Sequence, residues 1–213
     1  MAETMEVSKW PSSSLEKNSF LSGFDVIAGI DEVGRGSLAG PVVSAALILE
    51  KKYLTKNSLK INDSKKISAK RRLKIYLELL NTNSNFGMGI SPHQEIDQLG
   101  IVEATKLSML RAISNCSKMP ELLLIDSVNF DDYPTPSISF NKADSKSISV
   151  AGASIIAKVI RDNLMVKIYD PLYPIYELKN NKGYGTLNHI NLIKKYGVSK
   201  IHRKTFKLSG VPN

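Results

Sequence analysis

Cysteine is almost absent from this sequence, and its scarcity limits the chemistry that the chain can perform. Cys116 is the only cysteine among 213 residues, so neither an intrachain disulfide nor a zinc site built from thiolates can form. We expect the lone thiol to be packed as a small hydrophobic side chain. Metal binding through a thiolate cluster is therefore excluded.

Long hydrophobic runs are also missing. No apolar stretch approaches the ~20 residues that span a bilayer, and the first residues lack the apolar core of a secretion signal. We therefore expect a cytoplasmic protein with no membrane partner. The polar composition of residues 1–22, which shows little periodicity, predicts a flexible and loosely docked leader.

Acidic residues are outnumbered by basic ones, 20 to 29, which gives a net charge of +9. Such a balance is common in proteins that bind nucleic acid, although a need for solubility explains it equally well. The lysines and arginines are spread along the chain, so a basic surface would have to be assembled by folding. The length fits one medium domain, with or without a small appendage.

Strand and helix patterns alternate along the chain. β-rich apolar runs predict strands at 26–31, 41–49, 86–90 and 122–125 and a short one at 137–141, the first two forming a hairpin and the fourth a buried parallel strand. Helical periodicity predicts helices at 68–80, up to 114, at 148–169 and at 186–196. This is an α/β domain with a mixed sheet. We divide the chain into the leader, a main domain at 23–170 and a helical extension at 171–213 that packs on the same domain.

Two of these helices have informative faces. Apolar residues at i, i+3, i+4 and i+7 predict the buried face of the first helix, namely Leu73, Tyr76, Leu77 and Leu80. The helix at 148–169 is apolar almost all round. Its one polar stripe, at i, i+4 and i+7, consists of Ser154, Lys158 and Arg161.

Asp31 and Glu32 stand where an apolar strand gives way to a glycine turn. Neighbouring strand residues point to opposite faces, so both carboxylates reach one ion only if the backbone turns there, as Gly34 and Gly36 permit. Carboxylates without cysteine or histidine nearby suit Mg²⁺ or Mn²⁺ rather than zinc. A strand-end turn with two solvated acids explains the pair equally well.

Two further aspartates change that balance. Asp126 ends the buried strand at 122–125 as Asp31 ends its own, and strand ends are where α/β sheets build sites. Asp144 precedes the long helix, where a carboxylate also serves simply as a cap or as a partner of the helix dipole. Four acids at element ends around one sheet favour a metal centre that performs phosphoryl transfer.

Three motifs offer contacts to nucleic acid, each with a plainer explanation. Gly34-Arg35-Gly36 has exposed amides that could bind phosphate or a sugar hydroxyl, or it is an ordinary turn. Lys65 lies in a basic loop that could contact phosphate or be solvated. Tyr184 lies between two glycines, which favours exposure and stacking over core packing. We expect His202, in a basic segment near the end, at the surface.

Together these motifs resemble the ribonuclease HII family, the bacterial type 2 ribonucleases H. The matching segments, in the family's order over roughly residues 24–207, are GIDEVGRGSLAGPVVSAALIL, NDSKK, LLLID, KADSKSISVAGASIIAKVIRD, NKGYGT and IHRKTF. The resemblance implies an RNase H-like fold with a helical C-terminal extension. It also implies hydrolysis of RNA in RNA–DNA hybrids and incision 5′ of single ribonucleotides embedded in duplex DNA.

The resemblance also assigns residue roles. It implies that the catalytic Mg²⁺ or Mn²⁺ ions are held by Asp31, Glu32, Asp126 and Asp144. It implies that a ribose 2′-hydroxyl, which separates RNA from DNA, is read by Gly34, Arg35, Gly36 and Tyr184. Lys65 resembles a phosphate contact. We expect a monomer whose partner is an RNA–DNA hybrid or a duplex with an embedded ribonucleotide. The alternatives are a non-catalytic binder of RNA–DNA junctions and another nuclease of the same fold.

Three positions depart from the family pattern. Ser37 stands where proline is usual, which predicts a slightly looser turn after the glycines. The residues after Asp126 are Ser127-Val128-Asn129 rather than the frequent Gly-Asn, which affects only local loop geometry. Gly152 replaces a more usual alanine, at a cost of up to about 1 kcal/mol inside a helix.

Overall fold

The computed structural model describes residues 11–54, 61, 64, 67–82, 85–130 and 133–206. Within these ranges the strands are β1 (Ile27–Val33), β2 (Val42–Ile48), β3 (Asn85–Ser91), β4 (Leu122–Asp126) and β5 (Ser137–Phe140). They form one sheet in the order β3-β2-β1-β4-β5. Antiparallel pairing joins β1 to β2 and β2 to β3, whereas β4 runs parallel to both β1 and β5. The predicted mixed sheet, first hairpin and buried parallel strand are confirmed.

Helices cover the sheet and make up most of the C-terminal part. They are α1 (Ser14–Leu21), α2 (Ala69–Leu80), α3 (His93–Ser114), α4 (Ile148–Leu164), α5 (Asp170–Leu172), α6 (Leu178–Asn181) and α7 (Leu187–Tyr196). A π-helical turn, Met165–Tyr169, continues α4, and Gly100 interrupts α3 at a φ of 78°. Among the helices described, none has both the length and the apolar character needed to cross a membrane.

The two faces of the sheet are buried under different helices. Ala28 and Ile30 of β1 pack with Met109 of α3. On the opposite face, Leu47 of β2 packs with Ile155 of α4. Side chains alternate along a strand, so the other set of β1 residues, which includes Gly29 and Asp31, faces α4.

Helix α4 approaches β1 most closely at Gly29. A Cβ at this position would lie 2.2 Å from the carbonyl carbon of Ser149 and 2.3 Å from the backbone nitrogen of Val150. Only a residue without a side chain permits this packing. Gly152 has a similar reason, because a Cβ there would lie 2.4 Å from Cδ2 of buried Leu47. Alanine would avoid the predicted cost of a glycine in a helix, but its Cβ would clash with Leu47.

The predicted start of α2 is correct, and Tyr76 of the predicted face packs against the core, but the three leucines of that face do not. Ser68 caps the helix, since its Oγ accepts a hydrogen bond from Arg71 N at 3.3 Å. The buried residues are Ile75 and Leu79, which pack in the same cluster as α4. The leucines of the predicted face are exposed by 44–48%, namely Leu73, Leu77 and Leu80. The helix carries two overlapping apolar stripes, and packing against α4 selects one.

Residues 11–22 are not the loosely docked leader that their composition predicts. Glu16, in α1, is 2% exposed. Its Oε1 accepts hydrogen bonds from Ser147 Oγ at 2.5 Å, Ser149 N at 3.0 Å and Ser149 Oγ at 2.7 Å. This places a carboxylate at the N-terminus of α4, where helix amides lack partners. The other part of the predicted leader, residues 1–10, lies outside the described residues.

We predict that Gly29→Ala destabilises the protein by roughly 1–3 kcal/mol, the usual cost of overpacking a core, because the new methyl group forces α4 away from β1. Urea unfolding measures the change. Gly36→Ala is the matched control, since nothing lies within 4 Å of a Cβ at Gly36. Equal stability of the two variants would contradict the proposed contact.

Candidate active site

Parallel pairing of β1 and β4 brings Asp31 and Asp126 together. Ile30 pairs with Ile125, so the two aspartates are the next residues along neighbouring strands. Because they occupy matching positions, they leave the sheet on the same side, the side covered by α4. The structure therefore brings the two predicted acids together, although Asp31 lies within β1 and not at its end.

Burial raises the pKa of Asp31 and of Glu32. Asp31 is 4% exposed. Its pKa is raised well above the usual value by burial first and then by the charges of Glu32 and Asp126, while a hydrogen bond from Ser154 opposes the rise. Burial also raises the pKa of Glu32, against the opposing effect of Arg35. Both acids would be better stabilised as carboxylates beside a cation.

The sequence led us to expect a backbone turn at the Asp31–Glu32 pair, but the backbone does not turn there. β1 continues to Val33, with Glu32 paired to Ser44, so the turn begins only at Gly34. Neighbouring side chains in a continuous strand point to opposite faces. Accordingly, in the described ranges no three Asp, Glu, His or Cys side chains are grouped so that they could hold one metal ion.

Glu32 nevertheless has an oxygen suited to a cation. Its Oε1 accepts a hydrogen bond from Arg35 Nη1 at 3.3 Å. Its Oε2 is buried and has no hydrogen-bond partner among the described residues. An unsatisfied buried carboxylate oxygen is costly, and a divalent ion is a ligand that would satisfy it. The donor chemistry of the site therefore fits Mg²⁺ or Mn²⁺, although the carboxylates do not form a ready-made cage.

Asp144 follows the residue that hydrogen-bonds Asp126, and it is not the cap of α4. It is 5% exposed in a 3₁₀ turn, Ala143–Ser145. Ser147 caps the helix instead, since its Oγ accepts from Val150 N at 3.2 Å. The preceding residue, Ala143, donates its N–H to Asp126 Oδ1 at 2.9 Å. Asp144 is thus one residue from a group bonded to the Asp126 carboxylate, and the plainer capping explanation does not hold.

The polar stripe of α4 points into the site rather than to solvent. Ser154 is buried, and its Oγ lies 2.9 Å from Ser64 Oγ. Since Ser154 also lies close enough to Asp31 to lower the pKa of its carboxyl group, it lies between that group and the basic loop. Lys65 itself lies outside the described residues. The stripe was visible in the sequence, but its orientation depends on how α4 packs.

The glycine turn and Tyr184 lie side by side, as the resemblance implied. Leu38 N and Ala39 N both donate to Gly183 O, at 2.8 and 3.2 Å, and Ser37 pairs with Tyr184. The Tyr184 ring is half-buried, with Lys158 Nζ at 5.3 Å and the Arg161 guanidinium at 5.2 Å from its centroid. It is therefore less exposed than its flanking glycines suggest.

Ser37 tightens the turn that it was expected to loosen. Its N–H donates to Gly34 O at 3.2 Å, which closes a turn with Arg35 and Gly36 at the centre. A proline has no N–H and could not form this bond. Gly34 itself has a φ of 98°, a conformation that favours glycine.

Two buried arginines hold this region, and sequence reasoning predicted neither role. Arg161 donates to the carbonyl oxygens of Pro41 at 2.9 Å, Lys182 at 2.9 Å and Ala39 at 3.2 Å. Arg203 makes similar bonds to the turn itself. Burial, followed by the charge of Arg161, lowers the pKa of Arg203 to about 9, so the side chain stays charged at neutral pH.

His202 is buried, so its predicted surface position is wrong. Ser199 N donates to His202 Nδ1 at 2.9 Å, which requires the proton of a neutral ring to lie on Nε2. That Nε2 lies 3.2 Å from His189 Nε2, and His189 Nδ1 lies 2.9 Å from Tyr184 O. The chain of hydrogen bonds is consistent only if both rings are neutral, and it ends on the backbone of Tyr184.

Comparisons with known proteins agree with this architecture. Residues 28–209 match the family model described as ribonuclease HII. A relative named ribonuclease HII from Enterococcus faecalis is 50% identical over 194 residues, which are 91% of this chain and 74% of the relative. Another of that name, from Pediococcus pentosaceus, is 46% identical over the same shares.

Solved structures show the same fold. Ribonuclease H2 from Pyrococcus horikoshii superposes with a TM-score of 0.69 at 26% identity and covers 85% of this chain and 94% of its own. A ribonuclease HIII solved with Mn²⁺ superposes at 0.61 with 19% identity, over 81% of this chain and 63% of its own. At that identity the second likeness speaks only for the fold.

We predict that acid destabilises the protein through the histidine pair. Burial and the neighbouring His189 lower the pKa of His202 from 6.5 to about 4. Between these values the unfolded chain binds a proton that the folded chain does not, so stability falls as pH drops from 6.5 toward 4. From pH 6.5 to 5 the loss from His202 should be roughly 2 kcal/mol. Urea unfolding at each pH measures it, with His202→Asn as the variant in which this slope should diminish. Equal slopes would contradict the assignment.

Proposed function

The chain belongs to the ribonuclease HII family and is a ribonuclease H that hydrolyses RNA in RNA–DNA hybrids, and from that premise we propose that it also incises 5′ of single ribonucleotides embedded in duplex DNA. We further propose a two-metal-ion hydrolysis that leaves a 3′-hydroxyl and a 5′-phosphate. The observation that carries the proposal is that acids able to bind cations lie beside a turn with free amides.

The metal ligands in this proposal are Asp31, Glu32, Asp126 and Asp144. The support is physical: Asp31 and Asp126 are adjacent on parallel strands, and Glu32 has a buried oxygen without a partner. Both observations favour Mg²⁺ or Mn²⁺ over zinc, because these two ions prefer oxygen ligands. Ions bound here would lower the pKa of a water molecule and neutralise charge on the departing oxygen.

Other residues of the chain position these acids. Ser154 favours the charged form of Asp31, and Ala143 donates its N–H to Asp126 Oδ1. These contacts keep the acids in place before a substrate arrives, which is how preorganisation lowers a barrier. The bond broken is the one between phosphorus and the 3′-oxygen of the preceding nucleotide.

Substrate selection in this proposal depends on the ribose 2′-hydroxyl. Gly34, Arg35, Gly36 and Tyr184 form one surface because the segment at 183–184 pairs with the loop at 37–39. Backbone amides can hydrogen-bond a hydroxyl that deoxyribose lacks. Lys65 would contact a phosphate on the same strand. No observation favours the alternative of a non-catalytic junction binder.

We predict that Asp31→Asn lowers cleavage of a DNA duplex carrying one ribonucleotide by at least about 100-fold, because the site loses a metal-binding charge. Product formation is measured on a gel with Mg²⁺ or Mn²⁺, and the ends are identified by ligation. Glu103→Gln is the control, since among the described residues Glu103 pairs with Lys106 of its own helix, at 3.3 Å. Cutting of an all-DNA duplex, with the ribonucleotide-containing one left intact, would refute the proposed activity.

Divalent ions should raise the melting temperature of the wild type by about 5 °C or more at saturation, since a ligand bound only by the folded state stabilises it. Glu32→Gln should reduce this shift. The same variant should melt no lower than the wild type without ions, because the pKa of Glu32 is raised by its surroundings. Calorimetry measures both effects without a substrate. A full ion-dependent shift in Glu32→Gln would exclude Glu32 as a ligand.

A further inference from the structure

Arg203 is a buried cation whose hydrogen bonds all end on carbonyl groups of one loop. It is 3% exposed. Its Nη1 donates to Arg35 O at 2.7 Å, its Nη2 to Gly34 O at 2.7 Å, and its Nε and Nη2 to Gly40 O at 3.0 and 2.9 Å. In the part of the chain that the structure describes, no carboxylate pairs with it. Burying an arginine in this way is costly, so its presence needs a physical reason.

The bonds of Arg203 determine where the amides of the turn point. In a trans peptide the C=O and N–H of one plane point in opposite directions, and the described chain has no cis peptides. The carbonyls of Gly34 and Arg35 point toward the guanidinium, so the N–H groups of Arg35 and Gly36 point away from it. Gly36 is exposed, with open space within 4 Å of a Cβ position.

These two amides are available to a ligand. Among the described residues, neither Arg35 N nor Gly36 N donates a hydrogen bond. The Ser37 N–H closes the turn on Gly34 O, so the two amides are the central ones of a hydrogen-bonded turn. A positive charge at the carbonyl end of each peptide polarises it and makes its N–H a stronger donor.

We propose that Arg203 is a positioning residue for substrate selection. Its guanidinium holds the peptide planes of the turn so that the amides of Arg35 and Gly36 donate to the 2′-hydroxyl of the ribonucleotide. This inference rests on the proposed function and identifies the group that aims the turn. Arg203 lies behind the turn, so it acts through the three carbonyls and does not touch the substrate.

Arg203→Lys is the decisive variant. A lysine keeps the charge but is a compact donor that cannot replace the planar fork across three carbonyls. We expect the preference for a duplex with one ribonucleotide over an all-DNA duplex to fall roughly tenfold, which is the worth of about one hydrogen bond. Affinities are measured by fluorescence anisotropy with Ca²⁺ in place of Mg²⁺. Binding to the all-DNA duplex should stay unchanged, and the KM for the ribonucleotide substrate should rise more than kcat falls.

Arg111→Lys is the matched control. Arg111 donates to Ile90 O at 2.7 Å and to both Glu95 oxygens, away from the turn. It should lower the melting temperature without changing the preference between the two duplexes. A purely structural role for Arg203 would give the same pattern in Arg203→Lys.

A second variant, Arg203→Ala, allows the test to be made if Arg203→Lys does not fold. In Arg203→Ala, added guanidinium ions should bind in the vacated space and restore the preference for the ribonucleotide duplex, which a loss of general stability would not allow. If Arg203→Lys or Arg203→Ala folds and keeps the full preference without guanidinium, the role of Arg203 is overturned. If the wild type itself binds both duplexes equally, the proposed function fails, and the inference fails with it.

Discussion

Helix α4 can perform several tasks in this protein because it packs against β1 without a side chain between them. At Gly29 the helix backbone occupies the space where a Cβ would be. That approach brings Ser154 close enough to Asp31 to lower its pKa and lets Arg161 reach the carbonyls of the following loop. Glu16 and the cap residue fix the N-terminus of the same helix. One close contact therefore sets the positions of both the acids and the glycine turn.

The two parts of the site bury charges of opposite sign. On one side, burial raises the pKa of both Asp31 and Glu32, and the charges of neighbouring acids raise that of Asp31 further. On the other side, Arg161 and Arg203 are buried with carbonyls for partners. A cluster of acids suits a ribonuclease H that handles phosphate through cations, whereas carbonyl-bound arginines leave backbone amides free to face a sugar.

The errors of sequence reasoning share one cause. The helix at 69–80 has two apolar stripes, and only the neighbouring α4 selects Ile75 and Leu79. The polar segment around Glu16 is held because the N-terminus of α4, distant in sequence, offers unpaired donors. His202 is buried because His189 supplies a partner for its Nε2. Each outcome depends on a residue far along the chain, which local composition does not encode.

The sequence by itself determined the strands and the longer helices, the mixed sheet, the family and the presence of acids near the ends of β1 and β4, because periodicity, caps and motifs are local properties of the chain. The tertiary structure alone decided that β1 runs on past Asp31, that the stripe of α4 faces inward, and that Arg203 lies behind the turn. Those features arise from contacts between residues up to 169 positions apart. Packing decides which polar groups lose water, and that loss is what turns a charged side chain into part of a site.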